Sequence, residues 1–236
     1  KANAIVGTFG IFSGLIIEYL IWSQVFESRG LSEIRGFTFN GMMAYIFLCM
    51  IVGQLKSSWA TSIDMIDSIR TGELNKYLIR PISFFTYHFM MFIGHNSLFY
   101  FVYASLLVLF PIIFPGWAFS TILHVIGFLI SLLISIYLSY TIYFCMVCVA
   151  FWFGEVRALV IAYNISNIIF SGQVIPLRMF PESMLKIISM TPLPYLIDLP
   201  VSIATDNLPI DLWIPKIGIA IFWCLIMSLL GKIIYY

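Results

Sequence analysis

Charge is scarce in this sequence. Asp, Glu, Lys and Arg together make up 10% of the 236 residues, and 61% are hydrophobic; a water-soluble domain carries about 25% charged residues. With a mean hydropathy of +1.02, the composition excludes a soluble globular domain. A formal net charge of +1 leaves no basic field for nucleic acid. The alternation of apolar and polar residues that builds a membrane barrel is absent. Also missing are GxxxxGK[ST], GxSxG, HExxH and any paired-carboxylate constellation, so no catalysis and no bound cofactor is expected in this chain. Cysteine is rare, and all four (Cys49, Cys145, Cys148, Cys224) fall inside apolar runs. Cys145 and Cys148 lack the second pair or nearby histidine that a zinc or redox site needs, and read as small packing residues. His88, His95 and His124 are not spaced as metal ligands.

What the chain has in abundance is apolar runs of about 20 residues, the length that crosses a bilayer core of roughly 30 Å as helix. The first covers residues 4–26. Gly10 and Gly14 form a GxxxG that lets another helix approach closely, and Glu18 is a carboxylate inside the span, where a functional role is the default expectation. Residues 27–35 read as a charged loop, 39–55 as the second span, 84–114 as the third and 114–117 as a tight reversal. The run 118–153 has 36 residues, roughly 54 Å as continuous helix, so a tilted fourth span with an interfacial extension or a break is expected. Residues 154–157 are a minimal polar turn. On the fifth span, 158–174, Asn164, Asn167 and Ser171 share one helix face, which should meet protein or a water-filled path. The last span is 213–234. The expectation is an all-α integral membrane protein, one domain over residues 1–236, with six spans and both termini on one side.

Two intervals break this pattern. Residues 60–81 hold the longest polar stretch, SIDMIDSIRTGELNKYLIRP from Ser62 to Pro81. Ser62 suits an N-cap, Asp64 and Asp67 a helix start, Arg70 the end and Gly72 a left-handed C-cap. Ile63, Ile66 and Ile69 form an apolar stripe. A second turn follows with Leu74, Tyr77 and Leu78 apolar, Glu73 near Lys76, and Pro81 as its stop. Such pieces lie along a membrane surface or dock in a partner's groove. Residues 175–211 lie in the region where seven of the ten prolines fall, between Pro176 and Pro215. An amphipathic helix is expected at 181–188, with Met184, Leu185 and Ile188 apolar, among re-entrant or interfacial helices that cap the bundle. With residues 60–81 cytosolic, the inside holds Lys1, Lys56, Arg70, Lys76, Arg80, Arg157 and Lys232. Arg29, Arg35, Arg178, Lys186 and Lys216 are outside, a weak positive-inside bias.

The segment IRTGELNKYLIRP, residues 69–81, resembles the I-R-x-G-x-L-x-x-x-L-x-R-P cytosolic motif of permease subunits of bacterial type-2 ATP-binding-cassette exporters, in the branch whose ATPase is a separate polypeptide. Ala150-Phe-Trp152 with Glu155 resembles the end of that family's fourth span. Ser171-Gly172, Ile175-Pro-Leu177 and Phe180-Pro181 resemble its fifth-span exit. The resemblance implies a further short piece at each end, beyond residues 1–236. The resemblance implies a bacterial inner-membrane protein with cytosolic termini, paired with a second copy or a sister permease over two ATPase subunits that bind ATP and Mg. The coupling helix would lie in residues 63–78, with Ile63, Ile66, Ile69, Arg70, Gly72, Glu73, Leu74, Tyr77, Leu78, Arg80 and Pro81 at the ATPase contact. Gly10, Gly14, Glu18, Asn164, Asn167 and Ser171 would serve the pathway or dimer interface, and Pro176, Leu177, Phe180 and Pro181 an extracellular gate. The alternative class is a self-contained secondary transporter or channel that uses Glu18. Nothing in the sequence reads out a cargo.

Overall fold

A chain segment with no water to bond must satisfy its amides internally, which is why long apolar runs become helix. The computed structural model, which describes residues 2–30, 32–72, 82–113 and 118–235, follows that rule. Its helices are α1 (Ala2–Arg29), α2 (Phe39–Leu55), α3 (Trp59–Arg70), α4 (Phe84–Ile113), α5 (Ile122–Cys148), α6 (Ala150–Phe153) and α7 (Arg157–Phe170). Then come α8 (Glu182–Ser189), α9 (Asp198–Ala204) and α10 (Trp213–Tyr235), with 3-10 turns at Leu177–Met179, Leu193–Leu196 and Ile210–Leu212. Among the described residues, four stretches are long and apolar enough to cross a membrane: Phe39–Arg70, Phe84–Phe110, Ile122–Phe153 and Ile210–Tyr235. Large apolar side chains such as Phe101, Val108, Leu133, Ile214 and Ile233 lie exposed on them, as a lipid-facing surface requires. The chain is an all-α, multi-pass membrane protein. Helix α1, with 28 residues, and α7, with 14, are the other two segments read as spans. The reversal expected at 114–117 lies outside the described residues.

The second span has the expected bounds, and Thr38 caps it by accepting a 3.2 Å bond from the Gly41 amide. The expected charged loop at 27–35 is corrected. Helix α1 continues to Arg29, and the chain then forms a hairpin of β1 (Glu33–Ile34) and β2 (Phe37–Thr38). Arg35 and Gly36 at its tip have φ of 50° and 84°, the paired positive values of a type I′ turn. Of the 36-residue run, for which an interfacial extension or a break is expected, helix begins only at Ile122, and Val149, itself with helical φ and ψ, separates α5 from the short α6.

Helix α5 is the centre of the packing, with α10, α9 and α3 all against it. Its buried serines recur every four residues and tie irregular backbone to the bundle. Ser135 donates to the Leu196 carbonyl and Ser139 to that of Lys56 at 2.9 Å, while Ser131 bonds back to Gly127 of its own helix. The Pro-rich segment therefore does not simply cap the bundle. Leu196, Ile197, Val201, Ile203 and Ala204 are fully buried, and α9 packs between α5 and α2. Non-helical backbone at such depth is tolerated because protein groups satisfy it. Helix α8 is the surface piece: Ile188 is buried, whereas Met184 and Ile187 are exposed.

Candidate functional site

Helix α3 begins at Trp59, three residues before the N-cap expected at Ser62. Ser62 lies inside the helix, buried, and its hydroxyl donates to the Trp59 carbonyl at 2.7 Å. The earlier start is possible because neighbours serve the α2–α3 junction: Asn96 of α4 donates to the Ser57 carbonyl at 3.2 Å and Ser139 to that of Lys56. At the other end Gly72 has φ +72°, the left-handed conformation its position favours. The isoleucine stripe faces inward. Ile66 is fully buried with Met65, Ile63 and Ile69 are half-buried, and α3 packs on α4, α5 and α6. The expectation that Ile66 presents itself to a partner is corrected, since its own bundle already covers it. The outward residues of α3 are Trp59, Ala60, Asp64 and Arg70. Glu73, Leu74, Tyr77, Leu78, Arg80 and Pro81 lie outside the described residues.

Four charges join α3 to the turn that starts α7. Arg70 Nη1 lies 2.9 Å from Glu155 Oε2, Arg157 Nη2 contacts Asp67 Oδ1, and Arg157 Nε lies 3.8 Å from Glu155 Oε1. The Glu155 carboxylate also accepts from the Arg157 amide at 3.0 Å. These side chains are 40–47% exposed, so each pair contributes only about 0.2–1 kcal/mol. Signs alternate around the cluster, so each charge has opposite charges on both sides. Sequence reasoning saw a polar turn at 154–157 and no partner for it, because the two halves are 90 residues apart.

Helix α7 brings Asn164 and Asn167 to a cavity of about 500 Å³, which they line with Gly10 of α1 and with Gln54, Lys56 and Ser57 at the end of α2. Tyr143 of α5 donates to Asn164 Oδ1, and Gln173 closes one wall beside Gly53. Asn167 is buried and its Oδ1 has no partner among the described residues. Ser171 is also buried, its hydroxyl likewise without a partner among the described residues, but it lies away from this lining. The polar face read from the sequence is thus split between a cavity wall and the packed interior.

Beyond it, α2 meets the Pro-rich segment. Tyr45 donates to Asp198 Oδ1 at 2.8 Å and reaches the Gly172 carbonyl at 3.3 Å. Gly172 has φ +85°, and a Cβ there would stand 2.7 Å from the Tyr45 oxygen, so only glycine fits. Burial pushes the Asp198 carboxyl above its ordinary range, while the bonds from Tyr45 and Ser202 and the charges of Lys216 and Arg178 hold it back. Pro176 and Leu177 are buried beside this knot; Phe180 is half-buried and Pro181 exposed. Arg35 at the hairpin tip donates to the Arg178 and Phe180 carbonyls at 3.3 and 3.4 Å, pinning the segment from outside. A second cavity of about 360 Å³ opens here, lined in part by Asp198, Arg178, Lys186 and Lys216.

The first span's features resolve individually. A Cβ on Gly14 would meet Met50 Cε at 3.1 Å, so the close approach it permits is to α2 of the same chain, whereas Gly10 faces the open cavity. Glu18 accepts from Trp22 Nε1, one turn along its own helix, at 3.1 Å and lines neither cavity.

The structure is thus a multi-pass helical membrane protein with cavities between its helices, and its short helix α3 is tied by charges to the cavity-lining α7. A family model described as "ABC-2 family transporter protein" matches residues 12–236. The chain belongs to the ABC-2 transporter family, and is a membrane component of an ABC transporter, a class that works with an ATPase partner. No curated protein and no solved structure matches it.

Proposed function

We propose that this chain is the six-span permease subunit of an ATP-driven exporter, with α1 and α7 as the spans added to the four long apolar stretches. Two such subunits, identical or sisters, stand in a bacterial inner membrane over two separate ATPase subunits, with termini and α3 on the cytosolic side. ATP and Mg are bound in the partner, and this chain converts ATPase closure into movement of its helices.

The observation that carries this reading is the ionic link of Asp67 and Arg70 to Glu155 and Arg157. An ATPase that pushes on the outward face of α3, at Asp64 and its neighbours, moves α7 through that link. Helix α7 in turn bears Asn164 and Asn167 of the cavity. The knot of Tyr45, Gly172 and Asp198, with Leu177 and Phe180 nearby, acts as the outer gate.

The test is detergent co-purification with the neighbouring gene products. The wild-type chain should retain an ATPase in equal stoichiometry, and Asp64→Arg should release it while the permease stays folded. Folded permease without any ATPase would refute the reading.

A further inference from the structure

Among the described residues that line the 500 Å³ cavity, Lys56 is the only charged one. It is 4% exposed, and its side chain makes no hydrogen bond or ion pair with any described residue. Its backbone is held firmly, since the carbonyl accepts from Ser139 at 2.9 Å and Ser58 at 3.4 Å. Around it stand the amides of Gln54, Asn167 and Gln173 and the hydroxyl of Ser57, with no Asp or Glu among the described lining residues. An ammonium withdrawn from water without a counter-charge is strongly disfavoured. Such a side chain stands either as the neutral amine or beside an anion that enters the cavity, and the amides and hydroxyl around Lys56 supply further donors for an anion.

The second cavity is also lined by cations, but at the surface: Arg178 and Lys186 are exposed and Lys216 is half-buried. None of them makes an ion pair with a described residue. One carboxylate, Asp198, stands among the described lining residues, bonded by Tyr45 and Ser202 and within the field of Arg178 and Lys216, which leaves the three cations in excess. Leu177, Leu185, Ile188, Leu199 and Leu208 supply apolar wall here, as Met50 and Ile168 do in the first cavity. The two are joined by the knot: Asp198 belongs to the second lining, and Gln173 of the first follows Gly172 directly.

We propose that both cavities bind the anionic head of an amphiphile, a phosphate or carboxylate on an apolar tail, which Lys56 receives on one side of the Tyr45–Asp198 contact and Arg178, Lys186 and Lys216 on the other. This names the cargo class of the permease reading and rests on it. The head group can come from a bilayer phospholipid or from an exported compound, and the shared chemistry is a phosphate or carboxylate.

The experiment measures thermal stabilisation of the permease–ATPase complex in nanodiscs of phosphatidylcholine by two probes of equal tail length, dodecyl phosphate and dodecyltrimethylammonium. The phosphate should stabilise the complex at concentrations at which the ammonium does not. A charge-assisted bond is lost in Lys56→Gln, so its affinity for dodecyl phosphate should fall about tenfold or more, while Lys56→Arg keeps it. The Lys56→Gln protein without probe should melt no lower than wild type, because an unpaired buried charge has gone. Arg178→Gln with Lys186→Gln should weaken the phosphate effect separately. Phosphatidylglycerol nanodiscs identify the source: competition with the probe points to a bilayer lipid, and its absence to an exported compound. Equal stabilisation by both probes, or undiminished binding in Lys56→Gln together with the outer double variant, overturns the proposal. Loss of the ATPase from the wild-type preparation would instead overturn the permease reading and leave the charge preference standing.

Discussion

The Tyr45 hydroxyl and the Asp198 carboxylate, 153 residues apart, meet at 2.8 Å in the buried interior. This contact fastens α2 to the Pro-rich segment. In the function proposed above, this is the contact that holds the outer gate shut.

Tyr45→Phe should therefore destabilise the protein by about 1.5–3 kcal/mol, the range for a bond to a charged group. Asp198→Asn, which keeps an acceptor, should cost less. Thermal midpoints in detergent decide this, and equal midpoints for Tyr45→Phe and wild type would show that the contact carries no energy.

Two glycines with positive φ should respond differently to alanine. Gly172→Ala meets the Tyr45 oxygen at 2.7 Å and also Asp198 Cβ and Leu177 Cγ at 3.3 Å, so monodisperse protein should be largely lost on size-exclusion chromatography. Gly72→Ala has open space around it and should cost only the left-handed penalty of about 1–2 kcal/mol. Similar yields for both variants would contradict this.

The ionic link makes a reciprocal prediction. Arg70→Glu should lower transport-coupled ATPase turnover severalfold with a change in stability under about 1 kcal/mol. Combining it with Glu155→Arg should restore turnover. A double variant as impaired as the single would show that the pair does not transmit motion.

Asn167→Leu replaces a buried amide whose oxygen has no partner. Removing such a group is neutral or stabilising for the fold, so membrane insertion and thermal midpoint should hold while transport in vesicles falls. Parallel losses of insertion and transport would make Asn167 a packing residue.

Much of the architecture was legible because bilayer physics writes it into composition and run length. The bounds of α2, the break after Cys148 and the polar face of α7 all follow from periodicity and the cost of exposing amides to lipid. Long-range pairing was not legible. Nothing local to Asp198 announces Tyr45, and nothing in Glu155-Val-Arg157 points to Asp67 and Arg70. The hairpin at Glu33–Thr38 was missed because its strands are two residues each, too short for an alternation to register. The isoleucines of α3 showed a stripe but not which way it faced; burial of Ile66 against the bundle required the third dimension. Lys56 was read as one more inside-facing charge, since its lack of a partner is a property of the cavity and not of the sequence.

The central claim is that α3 is where the ATPase docks, and site-specific cross-linking tests it most directly. Asp64→Cys, carrying a short photoactivated cross-linker, should join the permease to the ATPase in membranes, and Ile66→Cys should not, because Ile66 is covered by its own bundle. Absence of a cross-link from position 64 in membranes that contain both proteins would contradict the account.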